Sequence, residues 1–259
     1  MKLVHSAYPQ RSTEGGATVT KPWVEGPQEL LRHGMAHLQL GSDFDARIAM
    51  ISIDNAVELM IKTYLGLPSR VTDIKGLSRR EYEEMCESFP SLLDGFEKFA
   101  PDKIVGIELG DIEWFHRLRN QLYHEGNGIT VERVKVEGYA EIAKILFSNL
   151  FGFPAEGLIE DKTRSLVGEF FSDWARLEQG LMRLREKRGI EEPSRFEPPS
   201  MVVKQLERAG ILPESLVREF DFVRQFRNEL AHGFATPSAD DLRSYNAIVK
   251  KLLKTVSEM

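Results

Sequence analysis

The strongest constraint on this chain is the period at which its apolar residues return. In DFDARIAMISIDNAVELMIKTYLG (43–66), Ile48, Ile51, Ala56, Leu59 and Met60 fall on one side of a helix that Gly66-Leu67-Pro68 ends. PQELLRHGMAHLQLG just before it places Leu30, Leu31, Met35, Leu38 and Leu40 at similar spacing. SRREYEEMCESF, with Ser78 as cap, and SLLDGFEKF read as shorter helices. DIEWFHRLRNQLYH, with Asp111 as N-cap, and VERVKVEGYAEIAKILFSNLF read as longer ones. Almost nothing alternates with period two, so strands are not expected and the fold class is all-α.

The same plan recurs downstream. TRSLVGEFFSDWARLEQGLMRLREKRG is a long amphipathic helix, EEPSRFEPPS a Pro-rich break, and MVVKQLERAG, PESLVREFDFVRQFRNELAH and DDLRSYNAIVKKLLKTVSE are further helices. The expected organisation is an irregular lead-in over 1–26, a helical domain over 27–152, a linker over 153–159 and a second helical domain over 160–259.

Two stretches echo each other across this boundary. RNQLYHEG stands at 119–126 and RNELAHG at 227–233, an offset of 108. The helices that follow match as well: Tyr139/Tyr245, Ile142/Ile248, Lys144/Lys250 and Leu146/Leu252 pair at an offset of 106. Upstream, each half has a long helix with an acidic residue near its middle, Glu58 or Glu178. An internal duplication explains motif and surroundings together, and the two-residue difference falls in a loop, where length is cheap.

Each motif has a structural reading. Cationic side chains at a helix C-terminus complement the dipole, and Gly126 or Gly233 takes a left-handed cap. The residue types also suit chemistry. Arg is a permanent charge that clamps phosphate, His exchanges protons near neutral pH, and Asn orients either. Asn120 and His124 are four residues apart and share a face, whereas Arg119 and His124 are splayed by about 140° on one helix. Two such helices packed together would bring their Arg and His groups to one composite site.

R-N-x-x-x-H near the end of a main helix in a small bundle resembles the HEPN superfamily (higher eukaryotes and prokaryotes nucleotide-binding domain), whose signature is R-x4–6-H, often with a polar residue after the Arg. The resemblance covers most of the chain as two copies. It implies a metal-independent endoribonuclease of a toxin–antitoxin or defence system, with Arg119, Asn120, His124, Arg227, Asn228 and His232 as catalytic residues. His would act at the RNA 2′-hydroxyl or the leaving 5′-oxygen, Arg would stabilise the phosphate, and Asn would orient the pair. It also implies pairing of HEPN units, within one chain or as a homodimer, and an antitoxin or defence partner. A catalytically silent nucleotide-binding or assembly module is the alternative. In some HEPN toxins a Tyr two residues after the His is modified by a partner enzyme; here those positions are Gly126 and Phe234. Glu125 places a negative charge beside His124 in the first copy.

Composition narrows the rest. The net charge of −6 supplies no overall basic field, so an RNA partner must be held by local cations. The single cysteine, Cys86, permits no disulfide within the chain, and a reduced cytoplasm is the expected compartment. No signal-peptide order and no apolar run of spanning length is present, so no membrane partner is expected. No cofactor is expected, and no metal site: His33 and His37, four apart, have no third ligand in view. His116, one turn before Asn120, joins the site or lies in solvent; the second copy has Arg224 there. The basic run RLREKRG (183–189) reads as a solvated helix end or an RNA contact, and Trp114, Trp174 and the Phe-rich stretches as core.

Overall fold

The computed structural model describes residues 21–124, 130–152, 166–190, 198–231 and 237–259. The fold is all-α, with no strand among the described residues. The first half contains α1 (Pro22–Leu40), α2 (Asp43–Gly66), the short α3 (Ser69–Thr72), α4 (Arg79–Met85), α5 (Phe89–Phe99), α6 (Leu109–His124) and α7 (Arg133–Phe151). The second contains α8 (Leu166–Lys187), α9 (Pro199–Arg208), α10 (Glu214–Ala231) and α11 (Ala239–Ser257).

Local signals set most boundaries. The Ser42 side chain accepts the Asp45 N–H and starts α2, while Gly41, at φ 86°, ends α1 in the left-handed region that other residues avoid. Ser78 with Glu81 and Ser238 with Asp241 form capping boxes on α4 and α11. The cap hydrogen bonds also hold the Glu81 and Asp241 carboxyls below their ordinary range.

Three expectations need correcting. The first helix starts at Pro22 and not at Pro27, which lies inside it. Pro22 suits a first turn because its missing N–H has no helical partner there, and Val24 and Trp23 are drawn in by burial against the core. The helix expected across 78–89 stops at Met85, and a new one begins after Ser88, whose side chain accepts the Ser91 N–H. Asp111 is not a cap: α6 begins at Leu109, and Asp111 is a buried residue of its first turn.

α1 and α2 form a tight hairpin. A methyl group on Gly34 would sit 2.7 Å from Ile53 Cγ1 and 3.1 Å from the Ile53 backbone nitrogen, so the helices approach as closely as they do because that position has no side chain. α7 is the central element, packing on α2 and α1 on one side and on α8 and α10 on the other. One continuous apolar core runs through both halves, from Val24 and Met50 through Tyr139 and Phe147 to Trp174 and Val249. At the junction, Ala175 Cβ lies 2.8 Å from where a Gly106 Cβ would stand. The order long helix, motif helix, closing helix holds for α2, α6 and α7 and again for α8, α10 and α11, and α2 packs on α7 as α8 packs on α11.

Candidate functional site

The first motif is organised around a carboxylate that lies outside it. Asp54, in the middle of α2, is fully buried. An unpaired charge there would be costly, so its oxygens must be matched by donors. Tyr139 of α7 donates its hydroxyl to Asp54 Oδ1 at 2.8 Å, and His116 Nδ1 of α6 lies 2.9 Å from Oδ2. Arg119 Nε, one helical turn beyond His116, is 3.4 Å from the same Oδ2. Burial first, and then the Asp54 charge, pushes the Tyr139 hydroxyl well above its ordinary value, so it stays a neutral donor.

The outer edge of the Arg119 guanidinium is also held. Nη2 donates to Asn55 Oδ1, the neighbour of Asp54 on α2, and Nη1 donates to Asn120 Oδ1 at 2.9 Å. The Tyr123 ring, largely exposed, lies 5.6 Å from the guanidinium carbon. The Arg119 side chain is 20% exposed and that of His116 14%, so both are anchored from below and reach the surface in part. Phe89 of α5 stacks on the His116 ring at 3.8 Å and 10° and fixes its plane. Four helices, α2, α5, α6 and α7, therefore converge on one Arg–His–Asp cluster. Chemically it offers a fixed cation with unspent N–H donors beside an imidazole held by a carboxylate, which suits binding an anion and moving a proton next to it.

The second motif has a different environment. Arg227 of α10 is 1% exposed. Its Nη1 pairs with Asp111 in the first turn of α6 and lies 3.6 Å from Glu108 Oε1, while the Phe171 ring stands 5.7 Å from its guanidinium carbon. Asn228 Oδ1 is at 3.5 Å. Glu178 of α8, fully buried, accepts the Trp174 indole N–H at 2.6 Å. Burial pushes its carboxyl up to about 7, against the opposing pull of Arg227. Those surrounding carboxylates outweigh desolvation at Arg227 and raise its already high value, so the cation is permanent. It locks the second half onto α6 and does not face solvent. The motif arginines accordingly do not share one open cleft: Arg227 meets α6 at Asp111, and Arg119 stands eight residues further along, about 12 Å of helix.

His124 is the last residue of α6, but its side chain lies outside the described residues, as do His232, Glu125, Gly126, Gly233 and Phe234. His116 joins the Arg119 cluster, whereas Arg224 is partly exposed and pairs with Asp221 on its own helix. Glu58, the acidic residue near the middle of α2, pairs with Lys62 at 2.6 Å, and Asp54, one turn earlier, stands beside the motif. The signal for Asp54 and Asn55 was a polar pair inside an otherwise apolar stretch, ISIDNAVEL, which α2 turns toward α6. Tyr139 was legible only as a matched position between the halves. In the basic run, Arg185 is buried, and Lys187 and Arg188 donate to the Met259 carbonyl. His37 pairs with Asp45, and no group of three His, Cys, Asp or Glu suited to a metal occurs among the described residues. Trp174 is core and Trp114 packs at its edge. No described helix is long and apolar enough to cross a membrane. Compared with protein-family models, curated proteins and solved structures, the chain matches none.

Proposed function

We propose that this protein is a metal-independent endoribonuclease of the HEPN type, acting in a defence or toxin–antitoxin system, with its chemical site in the first half. The observation that carries this reading is the setting of Arg119, whose guanidinium is fixed by Asp54, Asn55 and Asn120 yet keeps 20% of its side chain in contact with solvent. A cation held this way needs no reorganisation when it meets a phosphate, which is what makes electrostatic stabilisation efficient. His124, five residues on in the same helix, supplies proton transfer. The RNA 2′-oxygen attacks the adjacent phosphorus, the O2′–P bond forms and the P–O5′ bond breaks. One proton leaves the 2′-hydroxyl for a base, another reaches the 5′-oxygen from an acid, and Arg119 with Asn120 steadies the charged phosphorus centre between them. The ends left are a 2′,3′-cyclic phosphate and a 5′-hydroxyl.

In this reading the two halves descend from one duplicated unit. Arg227, Asn228 and His232 then form a copy whose arginine has been turned to holding α6. That burial favours a second reading for the downstream half, as an assembly element and not a second active centre. RNA degradation in EDTA by the wild type and by a His124→Ala/His232→Ala double variant tests the catalytic reading. Loss of cleavage in the double variant supports it, and equal cleavage by both proteins sinks it.

A further inference from the structure

We infer that His116, oriented by Asp54, is the general base that takes the 2′-hydroxyl proton; the inference rests on the endoribonuclease reading and deepens it. His116 lies outside R-N-x-x-x-H, so the motif gives it no role, yet among the described histidines it is the one held by a fully buried carboxylate and an aromatic stack together. Asp54 is fully buried and, as a carboxylate, only accepts hydrogen bonds. Its Oδ1 is taken by Tyr139, and its Oδ2, 2.9 Å from His116 Nδ1, requires that nitrogen to carry the ring hydrogen. The tautomer follows: Nδ1–H points to Asp54 and the lone pair lies on Nε2, which has no hydrogen-bond partner among the described residues. A buried carboxylate that fixes one ring nitrogen and leaves the other free is the arrangement by which an imidazole is prepared to accept a proton.

The ring is also fixed in plane and place. Phe89 covers one face at 3.8 Å, and the 14% exposure leaves a limited opening to solvent. Arg119 is ion-paired at 3.4 Å with the same Asp54 oxygen, so the phosphate clamp and the base share one carboxylate. The Nη hydrogens of Arg119 that Asn55 and Asn120 do not take are left for a phosphate, and His116 stands one turn before Arg119 on the same helix. Three groups face the ring: Asp54 on α2, Tyr139 on α7 through that carboxylate, and Arg119 on α6. In the step proposed, the 2′-hydroxyl proton passes to His116 Nε2, the O2′–P bond forms, the P–O5′ bond breaks, and His124 protonates the departing 5′-oxygen. Asp54 is a positioning residue, and it does not touch the substrate.

The test uses the full chain and an oligoribonucleotide spanning a bond that the wild type cuts, prepared with the natural 5′-oxygen or with sulfur in that bridging position. A sulfur leaving group departs without an acid, so loss of a base slows both substrates and loss of an acid slows only the oxygen one. His116→Ala is expected to lose about 100-fold or more on both substrates, to bind the oligonucleotide as the wild type does, and to regain cleavage with added imidazole. His116→Asn, whose amide keeps a donor to Asp54, covers the case in which the alanine variant fails to fold, and is expected to show the same loss on both substrates. Cleavage within a few-fold of wild type by either folded variant overturns the inference while leaving the endoribonuclease reading intact. A defect confined to the oxygen-linked substrate overturns the assignment as base. Wild-type cleavage no faster than that of Arg119→Ala overturns the endoribonuclease reading and this inference with it.

Discussion

Glu178 offers a quantitative handle on the junction between the halves. Its carboxyl is buried against Trp174, and burial lifts it from an ordinary 4.5 to about 7. In the unfolded chain it titrates near its ordinary value, so between pH ~4.5 and ~7 the folded state binds the proton that the unfolded state has released. Stability from this group is therefore complete below pH ~4.5, falls as pH rises through that window, and is lost above pH ~7. A difference of that size corresponds to about 3 kcal/mol. Glu178→Gln keeps a side-chain oxygen for the indole N–H and removes the titration. Chemical denaturation of both proteins from pH 4.5 to 8.5 should show the variant gaining on the wild type by about 3 kcal/mol across the range, or about 6 to 12 °C in melting temperature. A constant offset between the two proteins would mean that Glu178 titrates normally and is not held in a dry environment at the Arg227 cluster.

Arg227→Met should cost about 3–5 kcal/mol, because it removes the buried cation paired with the buried Asp111 carboxylate, and equilibrium unfolding checks it. Gly34→Ala should lower stability by about 1–3 kcal/mol, since the new methyl meets the Ile53 backbone as well as its side chain, and a thermal melt measures it. Tyr139→Phe removes the donor to Asp54 Oδ1 and should cost about 1–3 kcal/mol in the same assay. Glu58→Gln should leave RNA cleavage near wild type, because Glu58 pairs with Lys62 on its own helix and not with Arg119, whereas Asp54→Asn should impair it.

The helical fold was legible because α2, α7 and α8 repeat apolar residues at a period that nothing downstream contradicts. Helix boundaries were legible where a side chain sets them, as at Ser78 before α4. Boundaries set by burial were not: Pro22 begins α1 because Trp23 and Val24 find the core, and no neighbouring residue announces that. The candidate site divides in the same way. Arg119 and Asn120 stand out because they recur at 227 and 228, but recurrence does not report environment. Whether a motif arginine faces water or a buried carboxylate depends on which helix packs over it. Asp54 stands 65 residues before the arginine it holds (54 to 119), and Asp111 stands 116 residues before Arg227, in the other half (111 to 227). Glu58 and Asp54 are one turn apart on α2, and only Asp54 meets Arg119, while Glu58 pairs with Lys62.

In the proposed function the RNA-cleaving site lies at Arg119, and Arg227 supports it only structurally. Single-turnover cleavage of RNA in EDTA by the wild type, Arg119→Ala and Arg227→Lys, with the product ends identified, tests this most directly. The wild type should leave 2′,3′-cyclic phosphate and 5′-hydroxyl ends, Arg119→Ala none, and folded Arg227→Lys the same ends at a rate near wild type. Retained cleavage by Arg119→Ala, or its loss in folded Arg227→Lys alone, would place the site elsewhere.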